Sequence, residues 1–251
     1  MEKIRISAVK YANTYPFIWG LRESGFEKKV IIETDHPAEC AAKLISRRAD
    51  VGLIPVAALP QVKNYKIIGK YCIGANENVR TVMLFSNCPF EEVKAISLDY
   101  RSRSSVNLTR VLAKNMWKRD FRWIDTSENY DFVNIRKDEA VVLIGDQCFV
   151  SESKFEFRID LAGEWNRFTG LPFVFAVWAA NRKMRKGFID EFNEALKLGV
   201  DNIHKVAVSF SGISVIKEDE LETYLRNNID YNFDEKKVNA MNLFLDLLRR
   251  L

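Results

Sequence analysis

Gly170-Leu171-Pro172-Phe173-Val174-Phe175-Ala176-Val177-Trp178 decides the architecture. This apolar run, opened by glycine and proline, reads as a strand covered on both faces. A shorter strand of the same character, Thr81-Val82-Met83-Leu84-Phe85-Ser86, stands well upstream. Ahead of it the chain alternates. Residues 3–9 have the period of a strand, Pro16 opens a helical run through Trp19 and Leu21, and residues 29–33 form a second strand. Residues 37–46 then read as a helix with Ala38, Ala41, Leu44 and Ile45 on one side. Val51-Gly52-Leu53-Ile54-Pro55 follows as another covered strand, which completes β-α-β-α-β.

Between the two apolar runs the alternation repeats, with strands at 95–98, 121–124 and 140–144 and a helix at 105–118. The tail beyond Arg185 is helical by period. Phe188, Ile189, Phe192, Ala195 and Leu196 form one stripe, and Val238, Met241, Leu243, Leu245 and Leu247 lie in the last helix. Two α/β units joined by apolar crossing segments predict an α/β fold of two lobes. Residues 85–174 are inserted into a lobe built from 1–84 and 175–251, with a ligand cleft between them. A single continuous sheet fits the periodicity almost as well. The 11 glycines in 251 residues argue against a long flexible connection and for a hinge of paired strands.

Composition removes several function classes. The balance of 38 basic against 34 acidic residues leaves +4, scattered along the chain, which is a poor footprint for nucleic acid. Cys40, Cys72, Cys88 and Cys148 are widely spaced, lack a C-x-x-C pair, and read as free buried thiols. No metal-binding set, Ser-His-Asp order or glycine-rich phosphate loop is present in the sequence. The amino terminus carries no apolar signal core and no run approaches the roughly 20 apolar residues a membrane span needs. A cytoplasmic, soluble protein with no membrane partner is expected.

The chemistry gathers where strands end and helices begin, because helix amino termini present free N–H groups to anions. Asn13-Thr14 follows the first strand, Ser102-Arg103-Ser104-Ser105 follows Leu98-Asp99, and Gly145-Asp146 follows 140–144. Arg167-Phe168-Thr169-Gly170 is a further candidate turn. Each has a second reading. Asn13 or Thr14 could cap the helix near Pro16, Ser104 or Ser105 could cap the next, and Asp146 after Gly145 could be an ordinary turn or cap. The serine-arginine cluster combines hydroxyls, backbone donors and a guanidinium, the set that suits a carboxylate. His36 before Pro37 reads as a loop residue, and His204 lies in a helical stretch away from these clusters. Trp165, Phe173, Phe175 and Trp178 read as core and hinge packing.

At these clusters the sequence resembles the chorismate dehydratase family of the futalosine route to menaquinone. Ser7-Ala8-Val9, Tyr11, Asn13-Thr14 and Pro16 resemble its S-A-V-x-Y-x-N-T-x-P opening. Pro37-Ala38-Glu39 and Asp50-Val51-Gly52-Leu53-Ile54-Pro55-Val56 resemble its next segment. Leu98-Asp99 and Ser102-Arg103-Ser104-Ser105 look like L-D-x-x-S-R-T-S, with Ser104 where threonine is usual. Leu143-Ile144-Gly145-Asp146 and Trp165 with 169–178 complete an ordered series. Thr81, after Arg80, stands where serine is usual and keeps the hydroxyl.

The resemblance implies a type 2 periplasmic-binding-protein-like fold and a hydro-lyase that converts chorismate to 3-[(1-carboxyvinyl)oxy]benzoate without metal or organic cofactor. Its substrate-binding residues would be Tyr11, Thr14, Thr81, Ser102, Arg103, Ser104, Ser105, Gly145, Thr169 and Gly170. Asn13 and Asp146 would stand at the chemistry. Asn13 cannot take a proton near neutral pH, so the acceptor is either a substrate carboxylate held by Asn13 or Asp146. Two other functions fit the same cleft: the 1,4-dihydroxy-6-naphthoate synthase of the same pathway, and a non-catalytic small-anion binder or sensor.

Overall fold

Two sheets of the same plan, each covered by helices, make up the computed structural model, which describes residues 3–251. Residues 1 and 2, at the head of the segment read as lacking a signal core, lie outside the described residues. The first half runs β1 (Ile4–Val9), α1 (Tyr15–Glu23), β2 (Val30–Asp35), α2 (Pro37–Ile45), β3 (Val51–Pro55) and β4 (Lys66–Ala75). The second sheet is built from β5 (Val82–Ser86), β6 (Ala95–Leu98), β7 (Arg122–Asp125), β8 (Glu139–Ile144) and β9 (Phe157–Asp160). Helices α3 (Ser104–Leu112), α4 (Gln147–Ser151) and α5 (Leu161–Thr169) accompany it. The chain returns through β10 (Phe173–Ala180) and closes with α6 (Lys186–Val200), α7 (Ile203–Phe210), α8 (Glu218–Asn227), β11 (Asp230–Asn232) and α9 (Glu235–Arg249).

The first sheet has the order β11-β4-β10-β3-β1-β2 and the second β7-β6-β8-β5-β9. In the first, β1 is parallel to β2 and β3 while β10 runs antiparallel between β3 and β4. In the second, β6 is parallel to β7 and β8 while β5 runs antiparallel between β8 and β9. Each sheet thus takes its inner antiparallel strand from the chain just after a passage between lobes, and the short edge strand β11 of the first sheet is antiparallel as well, to β4. Strand β5 pairs wholly within the second sheet, so the outward passage lies at 76–81 and a boundary drawn at 84 cuts through a strand. All eight residues of β10 are buried, as its uninterrupted apolar sequence requires.

Close packing fixes how the carboxyl-terminal helices sit on the first lobe. A Cβ on Gly20 in α1 would meet the Ala195 carbonyl oxygen of α6 at 2.1 Å, and one on Gly199 would meet the Pro16 carbonyl oxygen at 1.7 Å. Only glycine at both positions lets the two backbones come so near. Trp165, Phe173 and Trp178 are core residues, and the four cysteines are free and buried. The helix read over 105–118 starts at Ser104 and changes pitch after Leu112, widening over Ala113–Trp117 before a left-handed residue, Lys118, ends it. Among the described residues no helix is long and apolar enough to cross a membrane.

Candidate active site

The pocket opens where β1 and β3 of one lobe face β6 and β8 of the other, and both lobes line it. Tyr11, Asn13, Pro37, Pro55 and Phe175 come from the first lobe, Ser102, Ser104, Ser105, Ile144 and Gly145 from the second, and Thr81 from the passage between them.

From the first lobe, Tyr11 is extended and Ala12–Thr14 makes one tight turn before α1. Neither Asn13 nor Thr14 caps α1 through its side chain. The buried Thr14 instead donates from Oγ1 to Asn13 Oδ1 (3.2 Å), while Asn13 faces the pocket. The Tyr11 hydroxyl pairs with His36 Nδ1 at 3.0 Å, so His36 is more than the loop residue it reads as. Burial and the neighbouring Lys10 and Arg101 charges hold the His36 imidazole below its usual pKa.

From the second lobe, the serine cluster divides its labour. Ser102 Oγ accepts from the Ser105 N–H (3.1 Å), so Ser102 closes the start of α3, a role the sequence offered to Ser104 or Ser105. Ser104 Oγ donates to the Phe175 carbonyl (2.9 Å) and accepts from the Ala57 N–H (3.3 Å), which ties the two lobes together. Ser105 lines the pocket at the first turn of α3.

Arg103 does not line the pocket. Its guanidinium donates to Gln61 Oε1 at 2.7 Å. The shielded cation is Arg101, whose Nε and Nη2 fork onto Asp99 Oδ1 (2.7 Å) and Oδ2 (2.8 Å). Asp99 is fully buried and also accepts from Gln147 Nε2 (2.7 Å), while the Arg101 carbonyl accepts the Ala38 N–H across the cleft (3.1 Å). This arginine stands at a variable position of the motif, so nothing in the sequence marks it out.

Gly145 has φ +69°, and a Cβ there would stand 2.6 Å from the Tyr11 ring. Its N–H donates to the Thr81 carbonyl (2.9 Å). Asp146 does not line the pocket; it stands at the N-cap position of α4, in the turn after Gly145, but its side chain makes no cap bond and its Oδ1 reaches over to accept the Ala12 N–H of the other lobe (3.0 Å). Burial pushes its carboxyl up to about 6, with the Ala12 hydrogen bond pulling the other way.

Thr81 is buried at the hinge. The Asp160 carboxylate sets its approach by accepting from the Val79 N–H (2.9 Å) and the Arg80 N–H (2.7 Å), and Arg80 lies in the left-handed region at φ +63°. The same carboxylate caps α5 through the Ala162 and Gly163 N–H groups. That cap explains why Thr169 and Gly170 are not brought to the site. Residues 161–169 form a helix rather than a turn, in which Thr169 Oγ1 donates to the Trp165 carbonyl (2.8 Å) and Gly170 closes the helix at φ +70°.

Among the described residues lining the pocket, no Asp, Glu, His, Lys or Arg occurs, and burial keeps the Tyr11 phenol protonated. The walls therefore offer hydroxyls, one amide and the start of a helix. Such donors replace the hydration of an anion but do not remove a proton near neutral pH.

Two α/β lobes of matched strand order closing on a shared pocket define a periplasmic-binding-protein-like fold. A protein from Archaeoglobus fulgidus superposes with TM-score 0.78 at 14% identity, covering 99% of this chain and 97% of that one. A Candida albicans protein described as having the generic periplasmic binding protein structural fold superposes with TM-score 0.72 at 11% identity, covering 100% of this chain and 91% of its own. The chain belongs to the menaquinone biosynthesis family, whose model matches residues 4–250. Its sequence is 26% identical over 258 residues to the chorismate dehydratase of Thermus thermophilus, an alignment covering 95% of this chain and 93% of that one.

Proposed function

We propose that this protein is a carbon–oxygen lyase that removes water from chorismate to give 3-[(1-carboxyvinyl)oxy]benzoate, acting in the cytoplasm on the futalosine route to menaquinone. The observation that carries this reading is the end-to-end likeness to the Thermus chorismate dehydratase within a menaquinone biosynthesis family. The pocket supports it chemically. Chorismate bears two carboxylates, and Asn13, Thr81 and Ser105 supply donors around one small space together with the first turn of α3. Each charge-assisted hydrogen bond is worth roughly 1.5–3 kcal/mol.

The elimination takes a ring hydrogen and the neighbouring hydroxyl, and the product gains aromaticity, so orientation supplies much of the catalysis. With no carboxylate or imidazole among the described residues of the pocket wall, the proton passes to a carboxylate of the substrate itself, which Asn13 orients. Asp146 then holds the lobes together through Ala12 and takes no part in proton transfer.

Incubating the purified protein with chorismate and following products by mass spectrometry tests the proposal. Loss of one water with appearance of the aromatic enol ether is expected; unchanged chorismate, even when tightly bound, would overturn it. An analogue lacking the enolpyruvyl carboxylate should bind weakly and not turn over, and normal turnover of that analogue would sink the self-base step.

A further inference from the structure

The carboxyl-terminal elements α8 and β11, which carry no motif residue, place two tyrosines directly behind the pocket. Tyr224 of α8 is fully buried and its hydroxyl lies 2.7 Å from Thr81 Oγ1. Tyr231 of β11, also buried, donates from its hydroxyl to the Asn13 carbonyl at 3.0 Å. The two residues that deliver polar atoms from the first lobe and the hinge are thus each held by a phenol from the far end of the chain.

Either hydroxyl can donate in the bond between Tyr224 and Thr81, and its direction decides which way the Thr81 proton points. The threonine hydroxyl has one proton and two lone pairs. On the protein side it meets Tyr224 and, at 3.4 Å, the Val79 carbonyl; on the other it faces the pocket. Burial raises the Tyr224 phenol far above its ordinary pKa, with Thr81 and the Asn13 side chain pulling the other way, so the phenol keeps its proton. A phenol that donates to Thr81 Oγ1 occupies the lone pair facing it. The threonine proton is then left with a carbonyl at the limit of hydrogen-bonding distance or an anion in the pocket, and the charge-assisted partner is the stronger.

We propose that Tyr224 is a positioning residue that makes Thr81 a donor to an anionic oxygen of the substrate. The inference rests on the chorismate dehydratase reading given above. Phenylalanine at 224 would retain the ring, which meets Phe149 edge-on at a centroid separation of 5.0 Å, and would remove only the hydroxyl.

Steady-state kinetics with chorismate test it. Tyr224→Phe should raise KM about three- to tenfold with kcat within about twofold, as loss of a hydrogen bond made equally in ground and transition states requires. Thr81→Val should raise KM at least as much, and adding Tyr224→Phe to Thr81→Val should raise it no further. Thr81→Ser should keep KM near that of the unsubstituted protein. A purely structural role for Tyr224 would lower the thermal midpoint and the active fraction while leaving KM alone. An unchanged KM in Tyr224→Phe, or a full further rise on the Thr81→Val background, would overturn the proposal. If Tyr224→Phe does not fold, equal KM values for Thr81→Ser and Thr81→Val would overturn it instead. Unsubstituted protein that binds chorismate without converting it overturns the lyase reading alone, and the same comparisons then run on the calorimetric Kd; protein that does not bind chorismate overturns both.

Discussion

The loop after β1 and the loop after β6 hold equivalent places in two sheets of the same plan, β2-β1-β3-β10-β4 and β7-β6-β8-β5-β9. They are stiffened in different ways. The loop after β6 braces itself: Arg101 forks onto Asp99 two residues away, and Ser102 takes the Ser105 N–H. The loop after β1 is braced from a distance, by His36 on the Tyr11 hydroxyl, Asp146 on the Ala12 N–H and Tyr231 on the Asn13 carbonyl. Both loops also touch the opposite lobe, the first through Asp146 on the Ala12 N–H and the second through the Ala38 N–H on the Arg101 carbonyl, but only the loop after β6 carries an ion pair and a helix-start bond of its own.

Removing the self-brace should have the largest effect on stability. Asp99→Ala leaves the Arg101 guanidinium without its buried partner, and breaking such a pair costs about 3–5 kcal/mol. Denaturant unfolding should show this loss; a change under about 1 kcal/mol would mean the loop after β6 does not depend on its own ion pair. Asn13→Ala strikes the other loop and should behave differently. Its stability should fall by less, about 1–3 kcal/mol at most for the buried Thr14 hydroxyl that loses its acceptor, while kcat/KM falls about 10- to 100-fold, the range of one charge-assisted hydrogen bond. The smallest effect belongs to Arg103→Ala. Because the guanidinium lies on Gln61 and outside the pocket, kcat/KM should stay within about twofold, and a tenfold loss would restore the arginine to the site.

The same contrast separates what is legible in the sequence from what is not. Self-bracing is local, so Leu98-Asp99 followed by the serine cluster announces a helix start within a span of eight residues. Covered strands such as Val51–Pro55 and Phe173–Ala180 are legible for the same reason, since their burial is written in an uninterrupted apolar sequence. The bond between Tyr224 and Thr81 spans 143 residues and leaves no local pattern; a tyrosine on the buried stripe of α8 looks like any other core aromatic. Helix α5 escapes the sequence reading because Thr169-Gly170 at its end has the composition of a free turn, and the Asp160 cap that starts it lies nine residues upstream of Thr169. Place in the motif favours Arg103 over Arg101, whereas the structure sets Arg103 on Gln61 and Arg101 beside the buried Asp99, with neither among the described residues lining the pocket.

The proposal that a pocket assembled from both lobes dehydrates chorismate with no protein base is tested most directly by the pH dependence of kcat. If Asp146 removed the proton, kcat would rise with pH through the value of about 6 to which burial pushes its carboxyl, because only the ionised form accepts a proton. With the substrate as its own base, the unsubstituted protein and Asp146→Asn, saturated with chorismate from about pH 5 to about 8, should give kcat values within roughly threefold of each other, with no limb near that pH that the substitution removes. A rising limb centred near 6 in the unsubstituted protein, together with a loss of about 10²-fold or more in Asp146→Asn, would contradict this and make Asp146 the base.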